Sequence, residues 1–137
     1  MIKVNMQEIF FDIHLFSNIY LIAISIIVQF IIYPSFKKYS FVEFKTFHSD
    51  YTKKMFLIVG PVMTVELLCC VFLLIENSTL FLIPAILLII IWILTFFLIV
   101  PIHNKLNMKF NLNDHKNLIR LNGLRTLLWV LKVLFIF

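Results

Sequence analysis

The stretch IPAILLIIIWILTFFLIV, residues 83–100, runs without a charged side chain. An apolar helix of about 20 residues crosses the roughly 30 Å hydrocarbon core of a bilayer, so this stretch reads as a membrane span over about 80–100. Three further apolar stretches cover roughly 9–33, 54–75 and 121–137. Together they predict an all-α membrane protein, an antiparallel up-down four-helix transmembrane bundle. With 62% hydrophobic residues, two glycines and a mean hydropathy of +1.03, the chain leaves no room for a separate soluble domain, so a single domain is expected over residues 1–137. The opening Met1-Ile2-Lys3, followed by Gln7, Glu8 and Asp12, leads into an apolar run long enough to span and lacks a small-residue cleavage pattern. The first helix is therefore expected to remain in the mature protein.

The net charge of +5 does not indicate nucleic-acid binding, because the basic residues are neither gathered on a soluble face nor interleaved with stacking aromatics. They mark the connections instead. Lys37, Lys38, Lys45, Lys53 and Lys54 lie between the first two stretches, and Lys105, Lys109, Lys116 and Arg120 between the last two, whereas Glu76-Asn77-Ser78-Thr79 carries no basic residue. The positive-inside rule then places both basic loops in the cytoplasm and both termini outside, in a multi-pass protein of a bacterial inner membrane. The four-residue connection predicts a tight hairpin, and the two longer loops have room for helix extensions. Pro34 and Pro101 are expected to stop their helices, and Pro61 to kink the second.

Inside the spans the polar residues form stripes at helical spacing. His14, Asn18, Ser25 and Gln29 lie within about 60° of one another on a helix of 100° per residue. His48 and Glu66 share a face of the second helix if it runs through from the loop, and Trp92 and His103 are nearly aligned on the third. His115, Asn122, Arg125, Trp129 and Lys132 recur at spacings of three, four and seven. Lipid offers such groups no partner, so all four stripes are expected to turn inward. At about 1.5 Å of rise per residue, Glu66 lies roughly 16 Å from the cytoplasmic boundary, Arg125 about 6 Å and Lys132 about 16 Å. Glu66 can pair with either base.

His48, His103 and His115 project from the cytoplasmic ends of three helices. With Glu66 below them they are candidate ligands for a transition metal such as zinc, copper or non-haem iron. Adjacent Cys69 and Cys70 suit neither a disulfide framework nor a C-x-x-C redox pair and read as packing residues. The serines lack a nucleophile elbow, and Gly60 and Gly123 are too few glycines for a phosphate cradle or a dinucleotide fingerprint.

Several of these residues carry a resemblance. Gln29 with Tyr33-Pro34, Phe44 with Phe47-His48 and Tyr51-Thr52, Pro61 with Met63 and Glu66-Leu67, Val100-Pro101-Ile102-His103 with Leu106, and His115, Leu118-Ile119, Asn122, Leu124-Arg125-Thr126 and Trp129 together make the chain resemble an uncharacterised family of bacterial four-span integral membrane proteins over about residues 25–132. Gly123 departs from that pattern, which tends to carry tryptophan after the asparagine. More distantly the layout is similar to anthrone-oxygenase-like membrane proteins, which implies oxygen-dependent oxidation of a small aromatic.

The expected site is a cytoplasm-facing pocket, with Glu66, His48 and Arg125 as the reactive groups. Gln29, Tyr33, His103, Asn122, Trp92 and Trp129 contact a small, aromatic or lipid-soluble molecule. Arg125 would hold an anionic oxygen, Glu66 or a histidine would move a proton, and the two tryptophans would wall the cavity. The expected partners are membrane lipids, that small molecule, and a second copy or another membrane protein. The alternative is a non-enzymatic membrane subunit or small transporter that uses the polar seam for partner or ion contact.

Overall fold

A computed structural model describes residues 5–137; residues 1–4 of the expected domain lie outside the described residues. It consists of four long helices: α1 (Met6–Lys38), α2 (Phe41–Glu76), α3 (Ser78–Met108) and α4 (Leu112–Leu134). α1 packs on α2 and α4, and α3 packs on the same two, so each helix lies beside its neighbours in chain order and α4 closes back on α1.

Local chemistry sets the helix starts. The Asn5 side chain accepts the Gln7 N–H at 3.2 Å, and Ser40 with Glu43 forms a capping box at the head of α2. Asn77 ends α2 and its side chain accepts the Leu80 N–H at 3.2 Å, so one residue makes the hairpin turn. Asn111 likewise caps α4 through the Asn113 N–H at 2.7 Å. Each cap satisfies one of the donors that the first turn of a helix leaves unpaired.

Most of the two basic loops turns out to be helix. α2 begins at Phe41 and α3 continues to Met108, which leaves connections of only Tyr39-Ser40 and Lys109–Asn111. Pro34 and Pro101 do not stop their helices, contrary to the expectation. Each instead follows a wide π turn, Val28–Ile32 in α1 and Leu94–Ile99 in α3, where the amides of Tyr33 and Val100 donate to the carbonyls five residues back. The physical reason is common to both sites: proline lacks an N–H, and its ring would collide with the carbonyl four residues earlier. The preceding turn widens to absorb the clash, as π turns within α-helices do.

The bundle is polar inside and apolar outside. Phe16, Phe30, Leu57, Ile75 and Phe97 are exposed, while His14, Asn18, Glu66, Asn122 and Lys132 are inaccessible. This inversion of the soluble pattern suits hydrocarbon, which cannot hydrogen-bond the polar groups. Three helices, α1 to α3, are long and apolar enough to cross a membrane, which makes this a membrane protein. Apolar contacts separate the polar layers. At the basic-loop end Tyr33, Phe36, Phe44, Leu106 and Leu118 pack together; Leu21, Met63, Ile91 and Trp129 fill the middle; and Leu73, Phe81 and Ile136 close the hairpin end.

Candidate functional site

Three polar layers cross the bundle. The layer at the basic-loop end is built on α2 and α3 with one residue from α1. His48 Nδ1 lies 2.6 Å from Asn107 Oδ1, His48 Nε2 lies 2.8 Å from His103 Nδ1, and His103 Nε2 lies 3.1 Å from the Tyr33 hydroxyl. Four aromatic rings enclose the two imidazoles: Phe36, Phe44 and Tyr51 lie against His48, and Tyr33 and Tyr51 against His103. His115 is turned away from this pair, with its Nε2 at 2.7 Å from the Tyr33 carbonyl and the Phe36 ring beside it. The three-histidine metal site expected from the sequence is thus not assembled. The ring nitrogens of His48 and His103 are all engaged, and among the described residues no three His, Cys, Asp or Glu side chains are grouped to hold a metal.

The middle layer gathers on α4 and joins the two π turns. Asn122 donates to Gln29 Oε1 at 2.7 Å and to the Ser25 carbonyl at 3.2 Å, and its own carbonyl oxygen accepts from Arg125 at 2.8 Å and from the Ser25 hydroxyl at 3.2 Å. Arg125 reaches Thr95 Oγ1 at 3.5 Å. Gln29 lies in the π turn of α1 and Thr95 in that of α3, so α4 ties the two irregular turns together at one level. Gly123 stands against this layer: a Cβ there would meet Gln29 Nε2 at an ordinary 3.5 Å, whereas a tryptophan would have to displace the amide.

Arg125 is the unusual group. Its guanidinium stands 5.2 Å from the Trp129 ring centre, its Nε is buried without a partner, and no carboxylate pairs with it among the described residues. A buried cation normally has an anion or a full set of acceptors, since desolvation of an unpaired charge is costly. Beside it opens a cavity of about 560 Å³ lined by residues of all four helices, among them Leu21, Tyr33, Met63, Trp92, His103 and Trp129. The indole N–H of Trp92, which also lines the cavity, has no acceptor. The outer rim consists of exposed residues of α2 and α3, Phe56 and Leu57 on one side and Phe96 and Val100 on the other, so the cavity opens sideways between these two helices.

The third layer, toward the hairpin, is closed. Glu66 is ion-paired with Lys132 and accepts the Trp129 indole N–H at 3.1 Å. Of the two bases within reach of Glu66, the fold selects Lys132, and Arg125 stays with the cavity. His14 Nδ1 lies 3.3 Å from the Glu66 carbonyl. Cys69 and Cys70 are buried free thiols in the adjoining turn of α2.

Of the residues expected at one pocket, the structure brings Tyr33, Trp92, His103, Arg125 and Trp129 to the cavity wall. Gln29, Asn122 and His48 stand behind that wall as hydrogen-bonding supports, and Glu66 faces Lys132 instead. Thr95 and Asn107 were not singled out from the sequence. Asn107 follows His103 by four residues, the spacing that puts two side chains on one helix face, so this contact was available to a helical-spacing argument. Thr95 gave a weaker signal, because threonine in an apolar span can bond its own helix, as it does here to the Ile91 carbonyl at 2.8 Å. No family model, curated protein or solved structure matches the chain.

Proposed function

We propose that the protein is a four-span membrane protein of the bacterial inner membrane whose cavity binds a small, lipid-soluble, acidic molecule, with an aromatic ring as the best-suited body. The observation that carries this reading is the half-buried guanidinium of Arg125, which borders an apolar cavity, has its Nε buried without a partner and has no carboxylate of its own. Such an arrangement wants an anionic oxygen on an apolar molecule. Arg125 holds that oxygen, and Trp92 and Trp129 flank the ring. The volume suits a ligand of one or a few rings, since ligand pockets span about 300–1,000 Å³.

In this reading α4 is the fourth span. It carries Asp114, Lys116, Arg120, Arg125 and Lys132, but the last two point into the bundle, Lys132 onto Glu66 and Arg125 onto Asn122, and the others lie near its loop end. The basic residues put that end in the cytoplasm and both termini outside. A reporter fused after Phe137 then behaves as periplasmic; cytoplasmic activity at that position reverses the orientation.

The direct test of the binding reading is mass spectrometry of small molecules retained by protein purified gently in lipid. An acidic, apolar compound should accompany the wild type and be lost from Arg125→Gln. Retention of the same compound by both proteins refutes the assignment of Arg125.

A further inference from the structure

We infer that Tyr33, His103, His48 and Asn107 form a proton-conducting chain that carries a proton from a neutral acid in the cavity to the basic-loop surface, leaving the occupant as an anion beside Arg125. The inference rests on the binding reading above for its occupant, and on the hydrogen bonds alone for its mechanism.

The three links are short and continuous: 3.1 Å from the Tyr33 hydroxyl to His103 Nε2, 2.8 Å between the imidazoles, and 2.6 Å from His48 Nδ1 to Asn107 Oδ1. Tyr33 and His103 line the cavity, and Asn107 is half-buried near the end of α3. One end of the chain therefore meets the occupant and the other reaches toward solvent.

The link between the two rings constrains both of them. One hydrogen lies between His48 Nε2 and His103 Nδ1, so when both rings are neutral they must be the same tautomer. If both carry the hydrogen on Nδ1, His48 donates to the Asn107 oxygen, His103 donates to His48, and Tyr33 donates to His103. If both carry it on Nε2, every link reverses and the Tyr33 hydroxyl is free to point at the occupant. The first polarity is the one that fits the Asn107 oxygen facing His48.

From that state the transfer is a set of coupled exchanges. The occupant's O–H proton passes to the Tyr33 oxygen as the Tyr33 proton passes to His103 Nε2. The His103 Nδ1 proton moves to His48 Nε2, and the His48 Nδ1 proton leaves to water at Asn107. Each O–H or N–H bond broken is matched by one formed, no electrons change owner, and one proton is moved. The same shifts in reverse, fed by a proton from water at Asn107, return the proton to the occupant and restore the first polarity.

The surroundings fit a relay better than a resting charge. Tyr33 faces the imidazole pair from α1, Tyr51 from α2, Asn107 from α3 and Arg125 from α4, while Phe36 stands between His48 and His115. No carboxylate pairs with either ring among the described residues, so nothing holds an imidazolium in place. The rings of Phe36, Phe44 and Tyr51 pack around His48, the middle of the chain, which is inaccessible.

Two measurements on the full chain in lipid nanodiscs test this. Nitrogen NMR of histidine-labelled protein, with no ligand added, should show His48 and His103 both neutral, each with its hydrogen on Nδ1. Different tautomers in the two rings, or a charged ring, overturns the chain. The second measurement uses 4-nitrophenol, whose neutral and anionic forms differ in colour, together with a pH-indicator dye. Wild type should release one proton per probe bound. Tyr33→Phe, which removes a single oxygen, should still bind the anion but release the proton about 100-fold more slowly, the scale of one positioned acid–base group. Unchanged release in Tyr33→Phe also overturns the chain. Failure of the wild type to bind the phenol counts against the binding reading, while the tautomer measurement still decides the chain.

Discussion

The layer around Glu66 and the layer around Arg125 both lie inside the bundle, both carry charge and both are supported by α4, yet one is complete and the other is not. Glu66 has Lys132 and the Trp129 N–H, and no charge is left over. Arg125 has two neutral acceptors, one face of an indole, an unpartnered Nε and a cavity. A matched pair holds helices in register, because separating it leaves an uncompensated charge in a dry interior. An unmatched cation beside open space is instead prepared for an anion from outside the chain. The hairpin half is therefore read as the structural half of the bundle, and the basic-loop half as the working one.

That contrast gives a ranked set of expectations. The largest effect should come from Glu66→Gln or Lys132→Met alone, each leaving one charge buried and costing about 3–5 kcal/mol of stability, measurable by denaturant unfolding in mixed micelles. The double variant should recover most of the loss. If each single variant unfolds like wild type, the pair is not structural and the contrast fails. Next comes Arg125→Gln, which should weaken retention of an acidic ligand by about 10–100-fold, the worth of a hydrogen bond to a charged group at about 1.5–3 kcal/mol. Its unfolding midpoint should hold or rise, since a buried charge without an anion is removed. A collapse of stability in Arg125→Gln would make this layer structural as well.

Trp129 spans the two regions, its N–H on Glu66 and its ring beside Arg125. Trp129→Phe should lower stability by about 1–3 kcal/mol, because Glu66 Oε2 loses the indole N–H at 3.4 Å while Oε1 keeps Lys132. It should also reduce ligand retention, and a variant that changes only one of the two readouts would show that the layers are independent. The smallest effect is expected at Gly123→Ala. The new Cβ would meet Gln29 Nε2 at an ordinary 3.5 Å, so the helix-propensity gain of about 0.5–1 kcal/mol should appear as slightly higher stability with ligand retention unchanged. A loss of stability there would mean that the Asn122–Gln29 layer tolerates no added atom.

Membrane character, the inward stripes of α1 and α4, and the gathering of Tyr33, Trp92, His103, Arg125 and Trp129 could all be read from the sequence. Their physical basis is local: polar groups in an apolar span must avoid lipid, and helical spacing then states which of them share a face. Relations between helices were decided by tertiary structure. Lys132 and Arg125 lie on the same stripe of α4, and only the rotation and height of α4 against α2 assign one to Glu66 and the other to the cavity. The same holds for the histidines, since a shared end of the bundle did not specify that His115 would turn to the Tyr33 carbonyl while His48 and His103 met. Pro34 and Pro101 announced a break in the regular turn, but neighbouring packing turned each break into a π turn instead of a helix end, because a continuous helix kept the remaining backbone groups paired where no water could satisfy them.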